Sequence, residues 1–236
     1  IAGRTEATGR GIEEVIREFF RNKEEVKKAK LNENLKDNRI VIQGFGNVGR
    51  HLAYELYNRD NAKIIAIGEY NGILYNEKGI DINKLIECVL FKKTIENNEL
   101  GKFTKNPKGI VEVECDILVP AALEGVINKD NVEKVKTKLI VEAANGPIDP
   151  VSDRILFNKG VTVLPDIYVN AGGVVVSYFE WVKNLSHIRF GRMEKRYQEH
   201  KLLELIKLIE KTTNTKTDPE LINTIVHGAD EIDLTN

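Results

Sequence analysis

Cysteine is scarce here. Cys88 and Cys115 are the only two in 236 residues, and they form no C-x-x-C pair. That excludes a disulfide framework and predicts free thiols in a reducing compartment, so a secreted protein is not expected. Net charge is nearly absent as well: 35 Lys+Arg against 36 Asp+Glu leave −1. Such a balance gives no reason to expect nucleic acid or an anionic membrane as partner. No apolar run approaches the ~20 residues of a membrane span. Internal repeats and low-complexity tracts are missing too. The chain opens "IAGRTEATGRG" without Met, signal peptide or transit sequence, and stops at "GADEIDLTN" just after a helical pattern. Both ends read as interior points of a longer protein.

What is present is 42% hydrophobic and 30% charged, an ordinary soluble globular composition. The length suits one domain, or one domain with an appendage, and suffices for a real core. Residues 8–30 read as a helix, with Ile12, Val15, Ile16, Phe19 and Phe20 at 3–4 residue spacing. "RIVIQ" and "AKIIAIG" read as strands with the helix "NVGRHLAYELYNR" between them. "DINKLIECVLFKK" reads as helix, and "CDILVP", "KLIVEAA" and "VTVLPD" as further short buried strands. Apolar runs alternating with helices predict a parallel sheet covered on both faces. From 173 onward the strands stop, and "YQEHKLLELIKLIEK" and "DPELINTIVHGADEI" read as helices joined by "TTNTKT".

"RIVIQGFGNVGRHLA" places G-x-G-x-x-G directly after a strand and at the start of a helix: Gly44, Gly46, Gly49. The first glycine permits a tight turn, the second lets backbone approach a pyrophosphate, and the third lets helix pack on strand. The amides of Phe45, Gly46, Asn47 and Val48 can then donate to phosphate at the positive helix end. Glu69 stands twenty residues beyond Gly49, at the tip of the next strand. A carboxylate there accepts from ribose hydroxyls and repels a 2′-phosphate, which favours NAD over NADP. Arg50, Lys63 and Lys78 are the cations that would offset that repulsion from nearby. The fold class is therefore α/β, a Rossmann-type doubly wound, mostly parallel sheet with a C-terminal helical extension. Residues 1–185 form the dinucleotide-binding domain and 186–236 the helical segment.

Ligands of open parallel sheets sit at the carboxyl ends of the strands. Three segments end there with small or polar residues: Pro120, Ala121 and Ala122; Asn145 and Gly146; Asp166, Asn170 and a Gly pair. Small residues leave room for a flat ring, and Asn amides donate and accept at a carboxamide or ribose. Asn145-Gly146-Pro147 also reads as a plain turn, and Asn170 as a helix N-cap. By propensity "NAGGVVVSYFEW" looks like a strand. As a helix, it sets Val174, Ser177, Tyr178 and Trp181 on one face, and Ser177 faces a cleft or bonds back to its own helix.

The segments "GRTEATGRG", "IQGFGNVG", "IGEYNGILYN", "CDILVPAA", "VEAANGP" and "PDIYVNAGGVVVSYFEWVKNL" together carry a resemblance. The chain resembles the cofactor-binding domain of the hexameric glutamate/leucine/phenylalanine/valine dehydrogenases. "SYFEW" is similar to the glutamate branch, where the Ser of this segment binds the side-chain carboxylate. "IGEYNG" and "NLSHIRFGRM" resemble the animal- or protist-type members, which often accept both NAD and NADP. The resemblance implies that Thr8 contacts the cofactor near its nicotinamide and that Arg4 lies beside the substrate α-carboxylate. It implies that the 45–48 amides hold the pyrophosphate and Glu69 the adenosine ribose. Asn145 then meets the nicotinamide ribose and Asn170 the carboxamide and substrate region. Val174 and Ser177 line the glutamate side-chain pocket.

The implied reaction is reversible oxidative deamination of L-glutamate to 2-oxoglutarate and ammonia with NAD or NADP, by a homo-hexamer of the mitochondrial matrix or cytoplasm. The family's catalytic Lys, in a "GGKGG" segment, and its catalytic Asp belong to a preceding substrate domain. No "GGKGG" occurs in these 236 residues, so no catalytic residue and no metal ligand is expected in them, and the chain alone is expected to bind cofactor without turnover. The tract beyond residue 192 is placed like an antenna insertion, with Leu202, Leu203, Leu205, Ile206, Leu208 and Ile209 as a partner-facing stripe. Two alternatives stand beside this reading. A non-enzymatic NAD-sensing module explains the glycine loop but not "ANGP" or "SYFEW". A leucine- or phenylalanine-type enzyme leaves Ser177 without a partner.

Overall fold

The short apolar runs line up side by side. In the computed structural model, which describes residues 3–96, 99–186, 192–213 and 215–227, the strands are β1 (Arg39–Gln43), β2 (Lys63–Glu69), β3 (Gly72–Tyr75), β4 (Lys102–Thr104), β5 (Ile117–Pro120), β6 (Leu139–Val141) and β7 (Thr162–Leu164). They form one sheet in the order β4-β3-β2-β1-β5-β6-β7. Five of them, β2-β1-β5-β6-β7, run parallel. The chain leaves β1 toward β2 and later returns to β5 on the other side. The order therefore reverses between β1 and β5, where the carboxyl ends open a crevice.

Alternation along β1 shows why both faces are covered. Ile40 and Ile42 join a core with Leu52 and Leu56 of α3 (Asn47–Asp60) and Ile12 and Ile16 of α1 (Ala7–Arg21). Val41 points the other way, into a core with Leu118, Ile140 and Leu156. Short runs buried on both faces are what parallel strands need.

Three local features depart from the simple pattern. The predicted helix over 8–30 is two helices, α1 and α2 (Lys23–Lys28), because Asn22 leaves helical geometry at ψ 89°. Its side chain accepts from the Glu25 amide and restarts the helix. The second departure is the antiparallel pairing of β3 and β4 beyond β2, which the apolar runs do not announce. β2 turns into β3 with Glu69 opposite Gly72, and at Gly72 a methyl group would sit 2.4 Å from the Thr104 carbonyl oxygen. Third, α4 (Ile82–Lys92) ends in left-handed Lys93 rather than glycine.

Past the sheet come α5 (Pro150–Asn158), α6 (Asp166–Val169) and α7 (Ala171–Ser186), then α8 (Arg192–Thr213) and α9 (Pro219–His227). "NAGGVVVSYFEW" is thus the start of a helix, not a strand. Two compact units result, Thr5–Val175 and a smaller one drawn from the chain on either side of it. In the smaller unit α8 packs on α9. Of the six apolar residues expected as a stripe, only Ile206 is buried, while Leu203, Leu205, Leu208 and Ile209 are exposed. Most of the "SHIRFG" run, and the "GADEI" end of the last predicted helix, lie outside the described residues. No described helix is long and apolar enough to cross a membrane.

Two buried carboxylates anchor this frame. Asp116, beneath β1, β5 and β6, accepts from the Arg39 amide at 2.8 Å and from Lys138 Nζ at 2.8 Å. Burial alone would raise its pKa, but these donors hold it below the usual range. Glu13 is fully buried on α1, against α3. Arg59 Nη1 reaches it at 3.1 Å and Arg17 Nη1 at 3.4 Å. Asp60 Oδ2 is buried there too, with no other partner. Burial first, then the hydrogen bond and charge of Asp60, push the Glu13 carboxyl up to about 7 against the pull of Arg59.

A carboxyl raised from 4.5 to about 7 on folding lends stability that is complete below its unfolded value and is lost as pH rises through its folded one. Glu13→Gln supplies Asp60 with a permanent donor. Thermal melting is expected to show the variant level with the parent at pH ~4.5 and a few degrees more stable at pH ~8. Equal midpoints at both pH values would refute the raised Glu13 pKa.

Candidate active site

The first turn of the site is a matter of clearances. Gly44 holds φ +98°, and a Cβ there would sit 2.7 Å from the Ala122 Cβ and 3.0 Å from the Ala121 carbonyl oxygen. At Gly49 a Cβ would sit 2.0 Å from the Gly44 carbonyl oxygen. Around Gly46 a Cβ would meet nothing within 4 Å. Two glycines are thus required by the protein's own packing, and the middle one leaves space outside it. α3 begins right after Gly46, which offers no side-chain cap. Its first amides keep the unpaired donors and positive end that suit a phosphate. Asn47 ties this turn down by donating to the Thr5 carbonyl at 2.8 Å.

Glu69 does not hang free at the tip of β2. Its carboxylate accepts from the Phe45 amide and, at 3.3 Å, from the Tyr70 amide. Glycine loop and acid are one hydrogen-bonded unit. Beside them lies a cleft of about 640 Å³ whose wall includes Gly44, Gly68, Glu69, Tyr70, Lys108 and Ala122. Its lining carries Glu69, Glu112, Glu124 and Asp130 against Lys108. Lys63 and Lys78 do not offset Glu69. Lys63 opens β2 where Glu69 closes it, roughly 20 Å away at strand rise. Lys78 sits at that same far end, where Ile80 bonds to Ile64. Arg50 lies in the first turn of α3 and is not part of the cleft wall.

The rest of the carboxyl edge continues through backbone links. The Ala121 amide bonds to Gln43 at 2.7 Å, and the Ala144 amide to Pro120 at 2.8 Å. There Asn170 Nδ2 donates to Asn145 Oδ1 at 2.7 Å, so the two predicted carboxamides meet. Gly146 takes φ +50°, a turn as the plain reading has it. The same turn presents the Asn145 carboxamide to Asn170.

Thr8 arrives through another glycine clearance. A Cβ on Gly173 would meet Thr8 Oγ1 at 2.3 Å, and one on Gly172 the Ala7 carbonyl oxygen at 2.9 Å. The Gly pair of "NAGG" therefore lets the start of α7 lie against α1. The valines that follow do not pack the helix down: Val174 is 71% exposed. Arg4 and Ser177 belong to the smaller unit. Arg4 pairs with Glu180 at 3.6 Å, and Ser177 follows Val174 by three residues along α7.

A glycine turn bound to an acid and a carboxamide pair further along the edge suit a nicotinamide dinucleotide, and comparison with known proteins names the family. The sequence model of the Glutamate/Leucine/Phenylalanine/Valine dehydrogenase family matches residues 1–233. The chain belongs to this family. It is 46% identical over 234 residues to the mitochondrial glutamate dehydrogenase of Dictyostelium discoideum, covering 99% of this chain and 46% of that protein. The glutamate dehydrogenase of Peptoniphilus asaccharolyticus is similar in structure, with 37% identity and a TM-score of 0.60 over 78% of this chain and 40% of that one. The hetero-hexameric glutamate dehydrogenase of Thermus thermophilus superposes with a TM-score of 0.68 and 28% identity, over 80% of this chain and 42% of that one. The chain spans less than half the length of each of these relatives.

Two residues of this carboxyl edge and its cleft escaped the sequence reading. Glu142 looked like the end of an apolar run, yet it is buried and accepts from the Asp166 amide at 3.0 Å. The only signal was a charge embedded in "LIVEAA". Lys108, after the Asn-Pro turn, joins the cleft wall from a distant part of the chain. The clearances make a prediction. Gly49→Ala is expected to lower the melting midpoint by several degrees. Gly46→Ala is expected to leave it within about 2 °C, yet weaken NADH binding by about 10- to 100-fold, the scale of a lost phosphate hydrogen bond. Melting curves and calorimetry on the pair separate the two glycines, and undiminished binding by Gly46→Ala would move the pyrophosphate elsewhere.

Proposed function

We propose that this chain is the cofactor-binding part of a glutamate dehydrogenase, acting in reversible oxidative deamination of L-glutamate to 2-oxoglutarate and ammonia. The observation that carries this reading is the joining of the Gly44–Gly49 turn to Glu69 at one end of the sheet edge and of Asn145 to Asn170 at the other. The relatives named as glutamate dehydrogenases support it. The cofactor, when bound, supplies the hydride acceptor. The chain's residues hold and orient it: the Gly46, Asn47 and Val48 amides at the pyrophosphate, since the Phe45 amide expected there is held by Glu69 instead, Glu69 at the adenosine ribose, and Asn145, Asn170 and Thr8 at the nicotinamide end.

NAD is the proposed preference, because the cleft around Glu69 carries more carboxylates than cations. In the same reading Arg4 stands by the substrate α-carboxylate, and Val174 and Ser177 accommodate the γ-carboxylate. The general base and the closing of the site on substrate belong to a substrate domain outside these residues. By the same reading residues 1–185 form the cofactor domain, and α8 with α9 an antenna-like element of a hexamer. Residence in the mitochondrial matrix or the cytoplasm follows the mitochondrial Dictyostelium relative.

Calorimetry on the 236-residue chain is expected to show NADH binding with no glutamate turnover, and to show Glu69→Ala narrowing the gap between NADH and NADPH. Failure to bind either cofactor would refute the reading. In a protein that also carries the substrate domain, Ser177→Ala is expected to raise KM for glutamate about tenfold or more while sparing alanine-like substrates. An unchanged KM would remove Ser177 from the pocket.

A further inference from the structure

Asn145 and Asn170 lie on different loops, one after β6 and one after β7, and yet their carboxamides meet at 2.7 Å. Asn145 sits in an exposed turn whose next residue, Gly146, holds a left-handed φ of +50°. Glycine has little backbone preference of its own, so this turn needs an outside hold to keep one geometry. That hold comes from Asp166. Its Oδ2 accepts from the Gly146 amide at 2.8 Å, and its Oδ1 from the Ile167 amide at 2.6 Å.

The grip is reciprocal. Glu142, leaving β6, accepts from the Asp166 amide at 3.0 Å, while Asp166, leaving β7, accepts from the Gly146 amide beyond β6. Each loop holds an N–H of the other. Asp166 also opens α6, and α6 ends at Asn170. A single carboxylate thus fixes the turn bearing Asn145 and starts the short helix that delivers Asn170. Glu142 is buried, and burial, with the nearby Asp166 charge, raises its pKa against the pull of the amide it holds. From opposite sides, the Gly125 amide bonds the Gly146 carbonyl at 2.9 Å, which leaves the Gly146 N–H side to Asp166.

We propose that Asp166, anchored by Glu142, is the positioning residue that sets the Asn145–Asn170 pair for the nicotinamide end of the cofactor. This rests on the function proposed above, and the experiment separates the two. Calorimetry compares NADH with ADP-ribose, which lacks the nicotinamide. Asp166→Ala removes the acceptor and is expected to weaken NADH binding about tenfold while changing ADP-ribose binding by less than about twofold. Asp166→Asn keeps an oxygen that can accept from Gly146 and is expected to restore most of the loss. Asp166→Glu keeps the charge but displaces the carboxylate by a methylene. It carries the same expectation as alanine and replaces it where the alanine variant does not fold.

Equal losses for NADH and ADP-ribose, unchanged NADH binding, or failure of Asp166→Asn to rescue would each overturn the positioning role. A parent chain that binds neither ligand would overturn the cofactor reading itself, and this inference with it.

Discussion

Among the described glycines, the least room for a side chain is at Gly49, where the helix after the first strand meets that strand's end. The Gly44 carbonyl oxygen occupies the place where any side chain at 49 would have to begin. With only hydrogen at that position, α3 can descend directly on the end of β1. Its first amides then face the crevice where the strand order reverses. Ala122 closes on Gly44 from β5's side with the same economy of volume. A larger residue at 44 or 49 would pry the crevice apart before any ligand arrived. Glu69 can reach the Phe45 amide only because this turn is so tight.

α1 carries that placement to the other end of the edge. A Cβ on Gly9 would stand 2.8 Å from the His51 Cβ on α3. On either side of Gly9 along α1, Thr8 meets Gly173 and Gly11 meets Gly172. One helix therefore touches both the helix of the glycine turn and the start of α7 through contacts only glycine permits. Glu13 lies on the same helix and is fully buried. Burial on this helix and the nearby Asp60 raise the Glu13 carboxyl, so its titration reports on how closely α1 packs.

Much of this was readable because it is local. The runs at 40–42, 117–119 and 139–141 are continuous and apolar, as strands buried on both faces must be. Gly44, Gly46, Gly49 and Glu69 keep a spacing set by one strand-helix-strand unit. Asn145 and Asn170 stood at the ends of apolar runs, which is where the parallel sheet delivers them. The unreadable parts depend on partners far off in sequence. β4 pairs with β3 across an intervening helix, and its three residues carry no pattern. Glu142 and Asp166 each look like an ordinary acid until the β6 and β7 loops are side by side. Lys63 and Lys78 were candidates by number, and only the direction of β2 shows them to be at its wrong end. The break at Asn22 was legible after all, in the capping pattern that begins with that Asn and reaches Glu25.

The sheet also ends in the same way on both sides. β4 and β7, its outermost strands, are each three residues long. A foreign strand laid along either would gain only a bond or two before running off the end, too little to offset the cost of ordering it. Both edges of this sheet are therefore poor templates for a further strand.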